Sequence, residues 1–442
     1  MSHQSHKKNS HVSLRAAVSA LAIVMVLIFA ATPVQAQTFT VLHSFTGGGD
    51  GANPVAGLTL DRAGNLYGTA AQGGNTPYTC GSTRGCGTVF KIARAGAGWI
   101  TTPLYKFNGG DGLSPLGRVS FGPDGTLYGT TYAGQGYSCS CGNVFNLKPP
   151  ASRPATPLAP WDEAVIHQFS PEYGEGTSPR GDLAFDAAGN IYGTTFTGGN
   201  WNLCSGGVGC GTVYELTRSG GSWTENVLYA FNEAAYYPES GVILDASGTL
   251  YGTATQGNFY YGAVFELTPS GSGWTESTLH NFPDGSGVVP VAGLVFDGAG
   301  NLYGATVATT ANGGGGTVFQ LTPSGGGWSF DNLYTLTGGG SGRTGPQGNL
   351  LVDAAGNLYG TTSSEGAYGK GTVFKLTPGI GGWTYTSVHD FTGGSDGANP
   401  MDGLVMDPNG NLYGTTYAGG TTGAHCDASV RYQCGVAFEI TP

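Results

Sequence analysis

Short stretches of alternating apolar and polar residues recur along the chain, separated by glycine-rich turns. One unit runs Gly-Leu-Val-Phe-Asp from Gly293, then Asn-Leu-Tyr-Gly-Ala-Thr from Asn301, then Gly-Thr-Val-Phe-Gln-Leu-Thr-Pro from Gly316. Period-two alternation bounded by Gly, Asp and Pro predicts β-strands. A fourth stretch, Trp328 to Leu336, follows a Ser-Gly-Gly-Gly turn. Each unit therefore predicts four antiparallel strands, which we name A to D in chain order.

The unit repeats seven times, and the repeat is marked by Leu-Tyr or Ile-Tyr followed by Gly. The seven tyrosines are 52 to 64 residues apart: Tyr67, Tyr128, Tyr192, Tyr251, Tyr303, Tyr359 and Tyr413. Four-stranded repeats of this kind are typical of propeller blades, with the extra length in loops. The sequence thus predicts an all-β, seven-bladed β-propeller. An open β-solenoid is the alternative, although its repeats are shorter and it needs capping units.

The two ends of the chain supply complementary parts of one repeat. The last repeat stops after strand C, at Gly435 to Pro442, and Phe39 to Phe45 matches strand D elsewhere, for example Tyr385 to Phe391. We therefore expect the N-terminal strand to pair with the C-terminal blade and close the ring, which would leave no free sheet edge.

Residues 1–36 have the pattern of a secretory signal peptide. Lys7, Lys8 and Arg15 accompany the apolar run Ala16 to Ala31, and Val34-Gln35-Ala36 is a small-residue cleavage site. A membrane anchor is the alternative, but the run is short for a span of about 20 residues. We predict a signal peptide over 1–36, a single propeller domain over 37–442, and a secreted, periplasmic or cell-envelope location.

Composition narrows the class of partner. The 442 residues include 81 Gly, and only 10% are charged, which does not fit an ordinary helical enzyme. Removing the three positive charges of the leader changes the net charge from -11 to -14. Nucleic acid is therefore excluded as a partner, because phosphate binding needs a basic face. We expect a monomer with no membrane span after cleavage.

Two motifs carry a family resemblance. Gly-Asn-Leu-Tyr-Gly-Thr-Thr and Gly-Thr-Val-Phe-Lys-Leu-Thr-Pro resemble the GloVer (Gloeobacter/Verrucomicrobia-type) tandem repeat of exported bacterial proteins, and the resemblance covers all seven repeats. It implies a propeller-like secreted or surface protein. It implies no activity for particular residues.

Eight cysteines form four close pairs, each ending directly before the Gly that opens strand C. They are Cys80 with Cys86, Cys139 with Cys141, Cys204 with Cys210, and Cys426 with Cys434. The other three repeats lack both members, and in an exported chain this pattern predicts disulfide bonds. Zinc is the alternative, but no histidine cluster adjoins the pairs. The Cys139-Cys141 ring is so tight that we expect a strained, redox-labile bond.

Most side chains that might carry chemistry follow the repeat, which indicates structural roles. One register of strand D alternates between histidine and tyrosine, a turn aspartate follows strand A, and a tryptophan opens strand D. The sets are His43, His167, His280 and His389 with Tyr105, Tyr229 and Tyr334; Asp61, Asp186, Asp245, Asp297, Asp353 and Asp407; and Trp99, Trp161, Trp223, Trp274, Trp328 and Trp383. We interpret them as packing and turn residues.

The candidate binding surface is the face where the B-to-C and D-to-A loops emerge together. The B-to-C loops vary in length, carry every cysteine and hold aromatic residues outside the repeat pattern, which suit stacking on sugars or contact with peptides. Packing between loops is the alternative interpretation. The residues are Trp201, Tyr78, Tyr132, Tyr137, Phe196, Phe259, Tyr260, Tyr261 and Tyr417.

No cofactor or catalytic motif is predicted. Asp50, Asp111 and Asp396 lie in Gly-Asp-Gly loops that suggest calcium, but each loop offers one or two carboxylates where six to eight oxygens are needed. Because the polar residues mostly repeat, the sequence favours an exported non-catalytic binding or structural module for a glycan, a peptide or an envelope partner. A propeller hydrolase or lyase acting on a polysaccharide is the alternative.

Overall fold

Antiparallel β-sheets account for all the regular structure that the computed structural model describes. It describes residues 37–442 except 75–79, 81–84, 135–140, 151–160, 173, 205–206, 233–234, 258–260, 272, 284–286, 311–313, 339–343 and 428–432. Six sheets have four strands and one has five. The residues Phe39–Thr441 cluster as one compact unit. Seven four-stranded repeats thus form a seven-bladed β-propeller, as predicted.

Every blade has the strand order A-B-C-D, and the blades are numbered here by their strand B. Strands A are Thr59–Leu60, Ser120–Phe121, Ala184–Phe185, Ile243–Leu244, Val295–Phe296, Leu351–Val352 and Val405–Met406. Strands B are Leu66–Ala70, Leu127–Thr131, Ile191–Gly198, Leu250–Ala254, Leu302–Thr306, Leu358–Thr362 and Leu412–Thr416. Strands C are Thr88–Ala95, Asn143–Lys148, Thr212–Ser219, Ala263–Ser270, Thr317–Ser324, Thr372–Gly379 and Val436–Thr441. Strands D are Gly98–Lys106, Asp162–Gln168, Ser222–Ala230, Gly273–Asn281, Gly327–Thr335, Gly382–Asp390 and Thr38–Ser44. Two further strands, Gly176–Pro179 and Thr422–Asp427, lie in loops of blades 3 and 7.

The N-terminal strand lies in the sheet of blade 7. Thr38–Ser44 is the neighbour of Val436–Thr441 in the strand order, and the N–H of Phe45 donates to the carbonyl of Gly435 at 3.1 Å. The loop that follows contacts the same blade, since the Asn53 side chain donates to the carbonyl of Tyr417 at 2.9 Å. Blade 1 is joined to blade 7 as well, because the Thr415 hydroxyl donates to the carbonyl of Ala56 at 3.1 Å.

Strand A is shorter than the five residues predicted from the alternation. In blade 5 only Val295–Phe296 pairs with strand B. The preceding N–H, that of Gly293, donates instead to Oδ1 of Asn349 in blade 6 at 2.7 Å. The start of strand A therefore bonds to neighbouring blades and not to its own sheet. These inner residues line the central channel.

Aromatic rings fill the seams between blades. In blade 6 a β-carbon on Gly360 would lie 2.6 Å from the Phe374 ring, so the glycine of Leu-Tyr-Gly leaves room for that ring. Phe391, directly after strand D, packs edge to face on Phe438 of blade 7, with 5.3 Å between the ring centroids. Trp383 packs edge to face on Tyr303 of blade 5, with 6.5 Å between the ring centroids. The packing role predicted for the strand D tryptophans is confirmed.

The His/Tyr register of strand D pairs each blade with the next one. The His389 ring stacks on that of Phe39 with 3.9 Å between the ring centroids, and the His280 ring stacks on that of Phe330 with 3.7 Å between them. Nε2 of His167 lies 3.3 Å from Oε2 of Glu225. These side chains contact residues of the neighbouring strand D and do not converge on one another. Their predicted packing role is confirmed.

The repeated aspartates cap the A-to-B turn. Oδ1 of Asp297 accepts from the N–H groups of Ala299 and Asn301, and Oδ2 accepts from the Asn301 amide and the Tyr303 hydroxyl, at 2.7 to 3.1 Å. In blade 2, where Gly122 replaces the aspartate, Asp124 accepts from Thr126 and Tyr128 in its place. The predicted turn role is confirmed.

Candidate functional site

The two sets of loops form one face of the propeller, as the strand order requires. Among the described residues, five D-to-A loops make an antiparallel bridge with the start of the B-to-C loop in the blade that follows, for example Ala52 with Gln72, Leu113 with Ala133, and Ala398 with Ala418. We call this side the loop face. It is the side that the sequence marked as the candidate binding surface.

A repeated X-Pro step ties each D-to-A loop to the preceding blade. Asn53 and Ser114 precede Pro54 and Pro115 with left-handed φ angles of 54° and 52°. The N–H of Asn53 donates to the carbonyl of Cys434 at 2.8 Å, and that of Ser114 to the carbonyl of Cys86 at 2.9 Å. Positive φ at a non-glycine residue is strained, so it persists only where neighbouring structure enforces it. The second cysteine of a pair is thus one anchor of the seam.

Disulfide bonds join three of the predicted pairs. Cys80–Cys86, Cys204–Cys210 and Cys426–Cys434 have Cα separations of 5.3, 5.4 and 5.0 Å, within the range for disulfides. The disulfide prediction is confirmed for these three. In the fourth pair, Cys139 lies outside the described residues.

The loop face surrounds an opening into the central channel. It is lined by the residue that follows each Pro, and the seven are Val55, Leu116, Arg180, Glu239, Val291, Gln347 and Met401. The opening holds about 370 Å³ and continues into a channel of about 650 Å³. At this position four blades have an apolar residue, and the other three have Arg180, Glu239 and Gln347. The polar residues therefore break the repeat.

A second ring of departures lies two residues further along each repeat. Gly57, Gly241, Gly293 and Gly403 keep the glycine that opens strand A, but the other blades have Arg118, Asp182 and Asn349. Asp402 directly precedes the glycine of blade 7. Sequence reasoning missed these residues because they lie in seven separate repeats. The signal in the sequence was a residue other than glycine at a position where four of the seven repeats have glycine.

Arg118 spans the channel between two carboxylates. Its Nε lies 3.6 Å from Oδ2 of Asp182 in blade 3, and an Nη lies 3.7 Å from Oδ1 of Asp402 in blade 7. Burial opposes the charge of Arg118, but the two aspartates outweigh it and raise its pKa. Burial raises the pKa of Asp182, against the opposing effect of Arg118. The guanidinium charge is therefore fixed inside the channel.

Arg180 lies between two of the predicted aromatic residues at the opening. Its guanidinium carbon is 5.0 Å from the Tyr132 ring centroid and 3.7 Å from that of Phe196. Phe196 stacks with its other neighbour, Tyr237, at 4.8 Å. Both faces of Phe196 are thus covered, which makes it a packing residue of this stack. Tyr237 is a residue that sequence reasoning missed.

The remaining aromatic candidates lie apart from this stack or outside the described residues. Trp201 is half-buried, and its indole Nε1 is buried without a hydrogen-bond partner in the described structure. Tyr261 is 41% exposed. Tyr417 is half-buried and occupies the register of Tyr132 and Phe196 in blade 7. Tyr78, Tyr137, Phe259 and Tyr260 lie outside the described residues.

The aspartates that suggested calcium accept hydrogen bonds from their own loops. Asp50 accepts from the N–H of Thr46 and lies 3.0 Å from His43, and Asp396 makes the same contacts with Thr392 and His389. Asp111 accepts from the Tyr105 hydroxyl at 2.5 Å. Loop closure accounts for these carboxylates. Within the described ranges, no three His, Cys, Asp or Glu side chains are grouped so as to hold a metal ion.

Fold and loop face together define a disulfide-bonded seven-bladed β-propeller. The model of the Gloeobacter/Verrucomicrobia repeat matches residues 26–259 and 253–442, so the chain belongs to that family. No curated protein matches the chain. The described residues include no helix long and apolar enough to cross a membrane.

Several solved structures resemble the chain at low identity. A Dyadobacter fermentans protein of unknown function is 11% identical, with 92% of this chain and 100% of that one covered and a TM-score of 0.46. A Lactobacillus plantarum protein is 14% identical, with 77% and 86% covered and a TM-score of 0.46. PorZ, a surface component of the type-IX secretion system of Porphyromonas gingivalis, is 14% identical, with 81% and 44% covered and a TM-score of 0.46.

Proposed function

We infer that this protein is an exported, non-catalytic binding module whose ligand enters the opening on the loop face. One observation carries the proposal: polar residues that break the repeat line that opening and the channel beneath it. Turn aspartates, strand D tryptophans and His/Tyr pairs recur because they build blades. Arg118, Arg180, Asp182, Glu239, Asn349 and Asp402 do not recur, and blade building does not require them.

Export is supported by the disulfide bonds and by the leader. Cross-links such as Cys204–Cys210 persist in oxidising compartments and are rare where thiols are kept reduced. The signal-peptide pattern of residues 1–36 agrees with that environment. We therefore propose that the mature protein acts outside the cytoplasm, in the periplasm, at the envelope or in the medium.

The chemistry of the opening suits a polar ligand such as a glycan or a peptide. Guanidinium, carboxylate and amide groups offer both donors and acceptors within a space of about 370 Å³. Around it, the B-to-C loops present Trp201, Tyr261 and Tyr417, which we propose as outer contacts for a longer ligand. An envelope protein that inserts a loop or a glycan would meet the same surface.

The experiment is a binding screen of residues 37–442 on glycan and peptide arrays, followed by a variant that fills the opening. Val291→Trp adds bulk at the rim without altering an ion pair, and we expect it to abolish binding. Val227→Trp is the matched control, because Val227 is 38% exposed on an outer strand. Binding that survives Val291→Trp, or that is lost equally in the control, would contradict the proposal.

A polysaccharide hydrolase or lyase is the second candidate, favoured by acids at the opening that do not repeat. Asp182, Glu239 and Asp402 are carboxylates from three different blades. A general acid needs a raised pKa, and burial raises that of Asp182. Turnover of polysaccharide by the mature protein, lost in Asp182→Asn, would favour this candidate over the binding module.

A further inference from the structure

Some hydrogen-bonding groups are unpaired at the opening, where Arg180 lies, and in the channel directly beneath it, where Arg118 lies. Nε and one Nη of Arg118 and Nε of Arg180 are buried without hydrogen-bond partners among the described residues. Their ion pairs, at 3.6 to 3.7 Å, are too long to be hydrogen bonds. A buried donor left unmade costs about 1–3 kcal/mol, so these N–H groups call for an acceptor.

The acceptors at the same place are already in use. Oδ1 of Asp182 accepts from the N–H of Arg118 at 2.8 Å, and Oδ2 of Asp402 accepts from the N–H of Gly57. Oδ1 of Asn349 accepts from the N–H of Gly293 at 2.7 Å. The N–H groups named above therefore lack acceptors among the described residues, while a carboxylate, with about four lone-pair sites, can still accept from a ligand donor.

Charge decides which kind of acceptor fits. Arg118 and Arg180 face three carboxyl groups, those of Asp182, Glu239 and Asp402, so no unopposed positive charge is left there for an anion. An anionic ligand would add like charge in a poorly solvated space. A hydroxyl group instead accepts from a guanidinium and donates to a carboxylate at once.

We propose that the opening binds a neutral saccharide unit, whose hydroxyl oxygens accept hydrogen bonds from Arg118 and Arg180. This inference rests on the proposed function and names its ligand class. It gives Arg118 the role of a binding residue and makes the channel selective against uronic acids. It also gives a reason for a buried guanidinium with N–H groups that have no hydrogen-bond partner among the described residues.

The test is calorimetric titration of residues 37–442 with neutral xylo-, manno- and cello-oligosaccharides and with oligogalacturonate. We expect a neutral oligosaccharide to bind and oligogalacturonate to bind at least about ten-fold more weakly, the loss that one charged hydrogen bond accounts for. This preference is measured on the unaltered protein and does not depend on the folding of a variant.

Arg118→Lys then tests the residue itself. Lysine keeps the charge but lacks the planar donor set, so we expect affinity for the neutral oligosaccharide to fall about ten-fold or more. Arg62→Lys is the matched control, because Arg62 is exposed in the turn between strands A and B. Thermal unfolding of each variant establishes that it is folded.

The outcomes separate the inference from the function on which it rests. Tighter binding of oligogalacturonate, or of peptides alone, would overturn the saccharide inference, while loss of that binding in Val291→Trp would leave the binding module standing. Unchanged affinity in Arg118→Lys would overturn the role of Arg118. If nothing on the arrays or in the titrations binds, both fail.

Discussion

The backbone N–H of Tyr237 donates to the carbonyl of Cys210 at 2.9 Å, across the seam between blades 3 and 4. Tyr237 has a φ of 61°, directly precedes the Pro of its loop, and stacks on Phe196 beside the opening. Cys210 is held in turn by its bond to Cys204. The disulfide and the rim of the opening are thus connected through one hydrogen bond and one ring contact.

Removing that disulfide should loosen the rim. For Cys204→Ser with Cys210→Ser we expect a loss of about 2 kcal/mol of folding free energy from the short closed loop, together with weaker ligand binding. Thermal unfolding under non-reducing conditions measures the first effect. Equal melting temperatures for variant and wild type, or free thiols at this pair in the unreduced protein, would contradict the account.

Trp201→Ala tests the outer part of the loop face. Because Trp201 is half-buried and does not line the opening, we expect it to contact only a ligand that extends beyond the channel. Affinity for a long oligosaccharide should fall several-fold, about 1 kcal/mol for one aromatic contact, while affinity for the shortest binding unit stays the same. Unchanged binding of both would remove Trp201 from the site.

A half-buried carboxyl group, that of Glu163, should contribute stability on acidification towards pH 5. Burial, with the charge of Asp111, raises the pKa of Glu163 to about 7, against an ordinary value of 4.5. Between these values the folded chain keeps a proton that the unfolded chain has lost, so stability falls as pH rises through this window. The melting temperature of the wild-type protein relative to a Glu163→Gln variant should therefore rise between pH 8 and pH 5, while His280, whose pKa burial lowers to about 4, acts in the opposite direction in both proteins.

Glu163→Gln should flatten that pH dependence, because glutamine cannot ionise, and should raise the melting temperature at pH 8. Glu172→Gln is the control, since Glu172 is exposed in a loop. A Glu163→Gln variant whose pH profile is the same as that of the wild-type protein would refute the assignment.

Asp297→Ala should damage the fold and leave the site intact. The carboxylate accepts four hydrogen bonds in its turn, so its loss should cost about 1–3 kcal/mol. Asp331→Ala, at an exposed carboxylate on strand D, should cost much less. Chemical denaturation of both variants, with ligand titration beside it, gives the comparison. Lost binding in a folded Asp297→Ala protein would place the binding site at the A-to-B turns and not on the loop face.

The fold was predictable because its determinants are local and repeated. Alternation around Tyr303, the turn at Asp297 and the glycine before strand C recur seven times, so each repeat predicts the same blade. The length of strand A was not predictable in this way. Gly293 turns to Asn349 of the next blade, and that contact exists only once the blades are side by side.

The site was only partly predictable, for the same reason. Loop-face location and three disulfides follow from the cysteine spacing, but the opening is assembled from one or two residues of each blade. Arg118 and Asp402 are 284 positions apart and meet only because the ring brings blades 2 and 7 together. Phe196 was predicted from the sequence as an aromatic residue of the binding surface, with packing between loops as the alternative, and it packs between Arg180 and Tyr237.

The most direct test of the central claim is hydrogen exchange of residues 37–442 with and without the best ligand from the arrays. We predict that bound ligand slows exchange in the peptides that carry Arg118, Asp182, Gly241 and Asp402, at the opening. Exchange in the A-to-B turns at Asp61 and Asp297 should not change. Protection confined to those turns or to the outer strands would contradict a binding site at the opening.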